Sequence, residues 1–372
     1  MSVRTLLLLL LLTTGALADD GPPPSELARL LGGDGEGFAR ALTPRLFTFP
    51  IDHGPHPEFR NEWWYVTGNL DAEDGRRFGY ELTIFRFSLS PAEKSSPSAW
   101  RSNEVYIAHL AVTDAEGDRF FVSQRYSRSA LGLAGAATDP FRVWIDDWSI
   151  QDDTSMPGDW RLTANGDDFG IDVRLRPLKA PVLNGEAGLS QKSAEPGNAS
   201  YYYSITRLGT EGNVHVDGRD FGVHGLSWLD REWSTSALAP EQVGWDWFAL
   251  QLSDGSDLMF YQLRTRDGGQ DPMTAGTLTG PDGSATHLHA DEVSISVDDE
   301  WESPAGGIYP SAWTLEMPGY SMTLRVSPVI ADQELFTTVR YWEGAVDVSG
   351  ERDGEKISGR GYVELTGYAE NE

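Results

Sequence analysis

The stretch that decides the fold is NEWWYVTGNL, residues 61–70, in which large apolar side chains occur in two interleaved sets. Side chains of a β-strand point alternately to its two faces. Both faces are partly apolar here, so we expect one to face a core and the other a cavity or a partner domain. The alternative is a barrel-opening strand with large hydrophobic anchors. One face carries Trp64, Val66, Gly68 and Leu70, and the other carries Trp63, Tyr65, Thr67 and Asn69.

The same β pattern continues from Pro44 to the end of the chain. Runs rich in Val, Ile, Thr and aromatic residues alternate with Gly, Asp and Asn turns, and no strong helical periodicity appears. Many short strands with polar turns are typical of barrels and sandwiches, so the sequence predicts an all-β, antiparallel fold. The best-defined runs are 62–70, 77–87, 105–113, 119–126, 201–208, 245–252, 258–264, 311–317, 320–326, 335–348 and 357–365.

The chain shows a weak internal echo. Around Trp63 in the first half and Trp245 in the second, an aromatic strand runs into an Asp/Gly turn and a further apolar strand, which indicates a duplicated β unit. Residues 177–199 are rich in Pro, Gly, Ser and Ala and predict a long loop, with the domain joint after it. We predict a signal peptide over 1–18, a lead-in over 19–43 with short helical turns at 25–31 and 37–42, and domains over 44–234 and 235–372.

The first residues have the features of an export signal. Arg4 gives a positive start, Leu6–Leu12 form a short apolar run, and Ala16-Leu17-Ala18 is a small-x-small cleavage site. The apolar run is too short to cross a bilayer. We expect an exported, periplasmic protein that is soluble after cleavage and, lacking Cys, is not a lipoprotein.

Charge and composition exclude several partners and chemistries. The 372 residues carry a formal net charge of −28, which opposes binding to nucleic acid and to anionic membranes. The absence of Cys excludes disulfides, thiol catalysis and thiolate metal sites. The 13 Trp, 13 Tyr and 15 Phe fit either large β cores or an aromatic cavity for an apolar ligand.

Well-known catalytic motifs do not occur in the sequence. It has no G-x-S-x-G, H-E-x-x-H, P-loop or G-x-G-x-x-G, which weakens the case for a serine hydrolase, a zinc hydrolase or a nucleotide-binding protein. His287 and His289 share a strand face and His53 and His56 share a loop, but neither pair has an obvious third ligand. We predict neither a metal site nor a cofactor.

Candidate acid–base residues lie in the segment HGLSWLDREW, residues 224–233. Neighbouring carboxyls beside aromatic surface have raised pKa values and can move protons. The alternative is a salt bridge from Arg231 to these carboxylates that ties the domains together. An extended strand places four of these side chains on one face: His224, Trp228, Asp230 and Glu232.

A further carboxylate, Asp246, lies in the segment GWDWFAL, residues 244–250, on the same strand face as Phe248 and Leu250. A carboxylate on an apolar face is costly unless it is paired or protonated. Asp246 is therefore either satisfied by an Arg or a backbone amide, or an acid in a cavity.

These segments resemble the AttH-like and carotenoid 1,2-hydratase (CrtC-like) lipocalin proteins, over about residues 46–368. The resemblance implies two consecutive lipocalin-like antiparallel β-barrels packed together, in agreement with the internal echo. Members with such a signal peptide are often labelled predicted secreted hydrolases. The motifs are FPIDHG and EWWYVTG (49–54, 62–68), WLDREW and GWDWF (228–233, 244–248), YWEGAV (341–346) and GYVELTGY (361–368).

The resemblance also implies a reaction. The hydratase branch adds water across an isoprenoid double bond without a cofactor, with a carboxylic acid that protonates the alkene and aromatic faces that stabilise the carbocation. That acid would be Asp230 or Asp246 here, with His224 as a helper. Fold transfers between relatives more readily than reaction does.

Three hypotheses for function follow. The first is an exported protein that binds an apolar lipid, isoprenoid or polyketide-like molecule in an aromatic cavity near the domain junction. The second is an enzyme for hydration, isomerisation or hydrolysis, with Asp230, Glu232, Asp246 and His224 as the catalytic set. The third is an accessory subunit or ligand carrier for an envelope transport complex. The expected ligand contacts are Glu62, Trp63, Trp64, Tyr65, Trp228, Trp233, Trp245 and Trp247.

Overall fold

The structure is a computed structural model that describes residues 35–92, 98–235 and 238–369. In these residues the chain forms 23 strands and three short 3-10 helices, which span Ile51–His53, Ala130–Gly132 and Pro318–Tyr320. The strands form two curled antiparallel sheets. The predicted all-β, lipocalin-like fold is therefore confirmed.

The first sheet has 13 strands and closes almost into a barrel. Its strands are β1 Asn61–Ala72, β2 Arg77–Ser88, β3 Glu104–Asp114, β4 Arg119–Arg128, β5 Ala134–Thr138, β6 Phe141–Ile145, β7 Trp148–Asp152, β8 Trp160–Asn165, β9 Phe169–Pro177, β10 Val182–Leu183, β11 Leu189–Gln191, β12 Ala199–Val216 and β13 Arg219–Ser234. The order is β4-β3-β2-β1-β13-β12-β9-β8-β7-β6-β5, with β10 and β11 paired to β12.

The second sheet has 10 strands and forms a half-barrel. Its strands are β14 Gln242–Leu252, β15 Asp257–Thr265, β16 Ala275–Thr279, β17 Ala285–His289, β18 Ser294–Glu302, β19 Ile308–Met317, β20 Met322–Pro328, β21 Glu334–Phe336, β22 Arg340–Arg352 and β23 Glu355–Leu365. The order is β17-β16-β15-β14-β23-β22-β20-β19-β18, with β21 paired to β22.

The predicted lead-in is only partly described. The helix expected at residues 25–31 and the signal peptide lie outside the described residues. Residues 35–50 contain no helix, and the backbone instead makes a turn in which Phe38 N donates to Gly35 O at 3.2 Å. Within the described ranges, no helix combines the length and apolarity needed to span a membrane.

The loop predicted over residues 177–199 contains two short strands, β10 and β11, that pair with β12. These strands are two and three residues long. Their length explains why composition alone predicts a loop, since short strands carry too few residues for a visible alternation.

Each sheet encloses its own apolar core. Trp64, Val66 and Leu70 lie in the first core, whereas Trp313 and Trp342 lie in the second. In both cores these side chains are almost completely buried, and this burial of apolar surface stabilises each sheet.

A third apolar cluster lies where the two sheets meet. The sheets approach so closely that a Cβ atom added to Gly79 on β2 would lie 2.6 Å from the Cβ atom of Ala345 on β22. The aromatic residues of this cluster come from both sheets, and four of the six line the candidate site. They are Tyr65, Tyr202 and Trp228 from the first sheet and Trp247, Tyr261 and Tyr362 from the second.

Candidate functional site

A cavity of about 100 Å³ lies between the two sheets. Eight of its 17 lining residues in the described part of the chain are aromatic, which suits an apolar ligand, and four carboxyls line it as well. The first sheet and the segments that border it contribute Trp63, Tyr65, Thr83, Phe85, Lys192, Tyr202, Asp230, Glu232, Ser234 and Leu238. The second sheet contributes Trp245, Trp247, Tyr261, Leu263, Tyr341, Glu343 and Glu364.

Strand register explains why these distant residues meet. Residues directly opposite each other on antiparallel strands point to the same face, so each line of cross-strand partners forms a continuous row of side chains. Two rows from the first sheet face one row from the second. The rows are Tyr202–Glu232–Trp63–Phe85, Ser204–Asp230–Tyr65–Thr83 and Tyr261–Trp247–Glu364–Glu343.

Asp230 is the most firmly held carboxyl of the cavity. It is 4% exposed and accepts hydrogen bonds from Ser204 Oγ at 2.5 Å, from Trp228 Nε1 at 2.7 Å and from Tyr202 Oη. Trp247 Nε1 donates to Tyr202 Oη at 3.1 Å, so the second sheet helps to fix this network. Burial raises the pKa of Asp230 to about 7, although the three donors favour the ionised form. Asp230 can therefore give or accept a proton near neutral pH.

A second group of carboxyls stands on the wall formed by the second sheet. Burial raises the pKa of Glu364 to about 7, and the nearby Asp230 and Glu232 carboxylates add to this shift. Burial, together with the Glu81 and Glu364 carboxyls, raises the pKa of Glu343 well above its usual range. Like charges held close together in a low dielectric cannot all ionise, so part of this group stays protonated.

The Lys192 ammonium balances the charge of one cavity carboxylate, Glu232 of the first sheet. Lys192 Nζ lies 3.2 Å from Glu232 Oε1 and 4.3 Å from the centre of the Tyr261 ring. Burial alone would lower the pKa of the Lys192 ammonium, but Glu232, Tyr261 and Asp230 together outweigh burial and the net shift is upward. Lys192 is the one Lys or Arg among the described residues that line the cavity, so Asp230 and Glu364 have no cationic partner there.

Six of the residues proposed from the sequence line this cavity. The alternation expected for β1 is present, because Trp63 and Tyr65 face the cavity whereas Trp64 and Val66 face the first core. The same alternation on β13 directs Asp230 to the cavity. The six residues are Trp63, Tyr65, Asp230, Glu232, Trp245 and Trp247.

Three of the proposed tryptophans do not line the cavity. Trp228 lies behind the wall and donates to Asp230. Trp64 and Trp233 belong to the first core. There the Arg231 guanidinium lies 3.8 Å from the centre of the Trp64 ring, and the His56 ring stacks on Trp233 with 3.7 Å between ring centres. Their role in the structure is packing and the support of charged groups inside the first barrel.

Glu62, also proposed as a ligand contact, lies in a buried ionic cluster away from the cavity. It accepts from Arg231 Nη2 at 2.5 Å, from Arg86 Nε and from the His56 backbone N–H at 3.1 Å. Burial would raise the pKa of the Glu62 carboxyl, but the two guanidiniums hold it far below its usual range. The ion pair of Arg231 is thus made with Glu62, and not with Asp230 or Glu232.

Asp246 and His224, proposed as catalytic, do not reach the cavity. Asp246 accepts from Arg264 Nε and from Tyr368 Oη, both at 3.0 Å, on the opposite face of β14 from Trp245 and Trp247. Burial raises the pKa of Asp246 despite the nearby Arg264. His224 is exposed and lies six residues from Asp230 along β13, a distance of roughly 20 Å at the rise of a strand.

Sequence reasoning did not identify several of the polar lining residues as site residues. Glu343 and Glu364 lie inside the closing motifs YWEGAV and GYVELTGY, where a carboxyl within an aromatic strand was an available signal. Tyr202 lies in a predicted strand but adjoins two further tyrosines, which hides its direction. Lys192 lies in the predicted loop, and no pattern in the sequence connects it to Glu232.

Comparison with solved structures shows the same fold elsewhere. A putative AttH from Nitrosomonas europaea is 35% identical, with 89% of this chain and 100% of that chain covered and a TM-score of 0.78. Kievitone hydratase from Nectria haematococca is 18% identical, with 90% of this chain and 97% of that chain covered and a TM-score of 0.66. At this identity the second likeness shows the fold alone.

A curated relative is also detected by sequence. Dehydratase asqC from Emericella nidulans is 22% identical over 218 residues, which are 55% of this chain and 60% of that protein. The chain thus matches about three-fifths of the length of this relative.

The family profile described as AttH-like matches residues 40–368, which include all 23 strands. This match has the extent expected from the resemblance of the aromatic motifs. The chain belongs to the AttH-like family.

Proposed function

We propose that this protein adds water to, or eliminates water from, an apolar substrate held in the cavity between the two sheets. The observation that carries the proposal is Asp230, a buried carboxyl in an aromatic cavity whose pKa burial raises to about 7. General acid–base catalysis is most effective when the catalytic pKa lies near the working pH. Asp230 meets that condition.

Two carboxyls from opposite walls supply the acid and the base. Burial raises the pKa of both Asp230 and Glu364 to about 7, and their mutual repulsion favours one protonated and one ionised carboxyl at neutral pH. Among the carboxyls of the cavity, Glu232 is paired with Lys192, which makes it the least suited to exchange protons.

In the hydration direction, protonated Asp230 gives its proton to one alkene carbon and the π electrons form the new C–H bond. A water molecule then forms a C–O bond to the carbocation, and the Glu364 carboxylate takes the surplus proton from that water. Dehydration reverses each step: Glu364 protonates the hydroxyl, water leaves, and Asp230 removes the proton from the neighbouring carbon. Both directions restore the pair through one proton exchange with solvent.

The aromatic walls suit such an intermediate. Trp63, Tyr65 and Trp247 present ring surface to the cavity next to the two carboxyls. Aromatic faces attract cations, and the attraction is stronger where water is excluded. These rings therefore both bind an apolar substrate and stabilise positive charge that develops on it.

The known relatives support the same class of reaction. The curated relative is a dehydratase, and a protein with the same fold is a hydratase. Hydration and dehydration are the two directions of one reaction and need the same acid and base. We propose that the reaction takes place outside the cytoplasm, on the grounds of the signal-like segment around Leu6–Leu12.

Labelled water tests the proposal directly. The protein is incubated in H₂¹⁸O with two alkenes, myrcene and 4-vinylphenol, and in the reverse direction with linalool, and products are analysed by mass spectrometry. We expect ¹⁸O in the alcohol or loss of the hydroxyl, in the wild-type protein and in Asp246→Asn, but not in Asp230→Asn. Binding of these compounds without label or water loss would favour a ligand carrier over an enzyme, and label that persists in Asp230→Asn would disprove the role of this carboxyl.

A further inference from the structure

A chain of hydrogen bonds runs from the protein surface to the cavity wall and crosses between the sheets. Thr338, in the connection between β21 and β22, donates its backbone N–H to Gln124 Oε1 at 3.2 Å. Gln124 Nε2 lies 2.8 Å from His109 Nε2, and His109 Nδ1 lies 2.7 Å from Tyr341 Oη. Gln124 and His109 are cross-strand partners on the first sheet, whereas Tyr341 is on the second.

The backbone N–H of Thr338, at the outer end of the series, fixes which atom donates and which accepts in every hydrogen bond of the series. A backbone N–H can only donate, so the atom of Gln124 that faces Thr338 must be the amide oxygen, and the amide nitrogen faces His109. That nitrogen can only donate, so His109 Nε2 accepts. A neutral imidazole that accepts at Nε2 carries its proton on Nδ1 and donates it to Tyr341 Oη.

His109 is held in the neutral form that this direction requires. It is 2% exposed, and burial lowers the pKa of His109 to about 3. The Phe85 ring packs edge-on against the imidazole, with 5.7 Å between the two ring centres. The imidazole thus stays neutral across the physiological range, and its tautomer is set by Gln124.

The direction of these hydrogen bonds determines where the Tyr341 O–H points. The hydroxyl oxygen of Tyr341 already accepts from His109, so its own O–H is directed away from the imidazole and towards the Glu343 carboxyl. The Tyr341 ring lines the cavity, and the residue is 3% exposed. The Tyr341 and Tyr65 hydroxyls both lie beside the Glu343 carboxyl, and Glu343 Oε1 accepts no hydrogen bond in the described part of the chain. Burial, with the Glu81 and Glu364 carboxyls, raises the pKa of Glu343, so Glu343 brings a second O–H to the same place.

We propose that Tyr341 and Glu343 form a subsite that binds a neutral carbonyl oxygen of the ligand, with Gln124 and His109 as positioning residues. A carbonyl oxygen has two lone pairs and matches two converging O–H donors. A carboxylate ligand is disfavoured because Asp230 and Glu364 line the same cavity. The inference rests on the proposed use of the cavity as a ligand site and specifies its ligand as a neutral, mostly apolar carbonyl compound.

The tautomer of His109 tests the relay without any ligand. Two-bond ¹⁵N–¹H correlation spectra of protein labelled at histidine nitrogens report which ring nitrogen is protonated, and His109→Gln identifies the signal. We expect His109 with its proton on Nδ1, unchanged between about pH 5 and pH 8, since its pKa lies far lower. A proton on Nε2 would reverse the chain, make Tyr341 donate to His109 and overturn the proposal.

A matched pair of probes tests the subsite itself. 1-Tetralone and tetralin differ by one carbonyl oxygen, and their binding is measured by calorimetry on wild type, Tyr341→Phe and the control Tyr362→Phe, a buried tyrosine that does not line the cavity. We expect Tyr341→Phe to weaken 1-tetralone about tenfold, as the loss of one hydrogen bond does, and to leave tetralin unchanged. The control should alter neither.

Each other outcome counts against the proposal. Equal weakening of both probes by Tyr341→Phe would assign the effect to ring packing, and a wild-type protein that binds 1-tetralone no tighter than tetralin, or binds neither, would remove the carbonyl subsite. Labelled-water turnover is read separately. Turnover without preferential binding of 1-tetralone would support the proposed hydratase activity and rule out the carbonyl subsite. Preferential binding of 1-tetralone without turnover would support the subsite and rule out the activity.

Discussion

Glu62 and Asp230 are buried carboxyls on neighbouring strands of the same sheet, and their chemistry is opposite. Glu62 faces two guanidiniums, which hold its pKa far below the usual range. Asp230 faces only neutral donors, and burial raises its pKa to about 7. Burial of a carboxyl therefore does not by itself produce an acid that works at neutral pH, because the charge of its neighbours decides.

The comparison separates a structural role from a chemical one. Removal of a carboxylate that is buried with two arginines leaves both guanidiniums buried without a counter-charge, which strongly destabilises the fold. A carboxyl that is held by neutral donors can lose its charge at little cost to the free energy of unfolding. The two sites thus predict different outcomes when each carboxyl is replaced by its amide.

The largest effect is expected on turnover. Asp230→Asn and Glu364→Gln should each lower the labelled-water rate by about 10²–10⁴-fold, the usual contribution of a general acid or base. The free energy of unfolding should change by less than about 1 kcal/mol, because the amide keeps the size and most of the hydrogen bonds of the carboxyl. Turnover is measured by mass spectrometry and stability by urea unfolding. Loss of both together would mean that Asp230 resembles Glu62 after all.

The next largest effect is expected on stability. Glu62→Gln should lower the free energy of unfolding by about 3–5 kcal/mol, because Arg86 and Arg231 would remain buried without their carboxylate. Glu81→Gln is the matched control, since Glu81 is equally buried on the next strand but its pKa is raised well above the usual range by burial. Urea unfolding should show a small change, under about 1 kcal/mol, for the control. Similar losses in both variants would contradict the comparison.

The pH dependence of the free energy of unfolding should contain separate contributions from the cavity carboxyls and from Glu62. Asp230 and Glu364 have pKa values raised to about 7 from 3.8 and 4.5, so the folded state binds protons that the unfolded state releases, and stability falls as pH rises through this window. The slope is on the order of 1 kcal/mol per pH unit for each group. The stabilisation from Glu62 has the opposite sign and declines as pH falls below about 4.5.

Urea unfolding from about pH 4 to pH 8.5 should therefore give a maximum in the mildly acid range, and Asp230→Asn should flatten the decline above it. A wild-type profile that rises steadily up to pH 8 would contradict the raised pKa of these two carboxyls.

The smallest effect should come from Asp246. Its partners Arg264 and Tyr368 each lie at 3.0 Å, and the Arg264 side chain is partly exposed, so Asp246→Asn should cost about 1–2 kcal/mol. Turnover should change by less than about twofold, because Asp246 does not line the cavity. A large loss of turnover in a well-folded variant would show that the site extends to the other face of β14.

The alternation of residues along a single strand could be predicted from the sequence. The separation of Trp63 and Tyr65 from Trp64 and Val66, and the position of Asp230 beside aromatic surface, follow from a period of two. The all-β class follows from many short strands, and the two curled sheets agree with what the family resemblance implies and with the internal echo. These features depend on neighbours in the chain, which a sequence displays directly.

The contacts between strands could not be predicted in the same way. His224 and Asp230 share a strand face, but six residues of extended chain keep them apart, so a common face does not imply proximity. For Asp246 the alternation was visible, but the face that points to the cavity is set by how the second sheet packs on the first. Lys192 meets Glu232 only through tertiary structure.

Asp230 stands on β13 and Glu364 on β23, so the proposed acid and the proposed base belong to different halves of the chain. Their spacing is set where the sheets touch, as at Gly79 and Ala345, and not by either barrel core. Under the proposed mechanism, neither half of the chain carries a complete acid–base pair. For the proposed reaction the two halves therefore depend on each other, in the way that the subunits of an obligate heterodimer do.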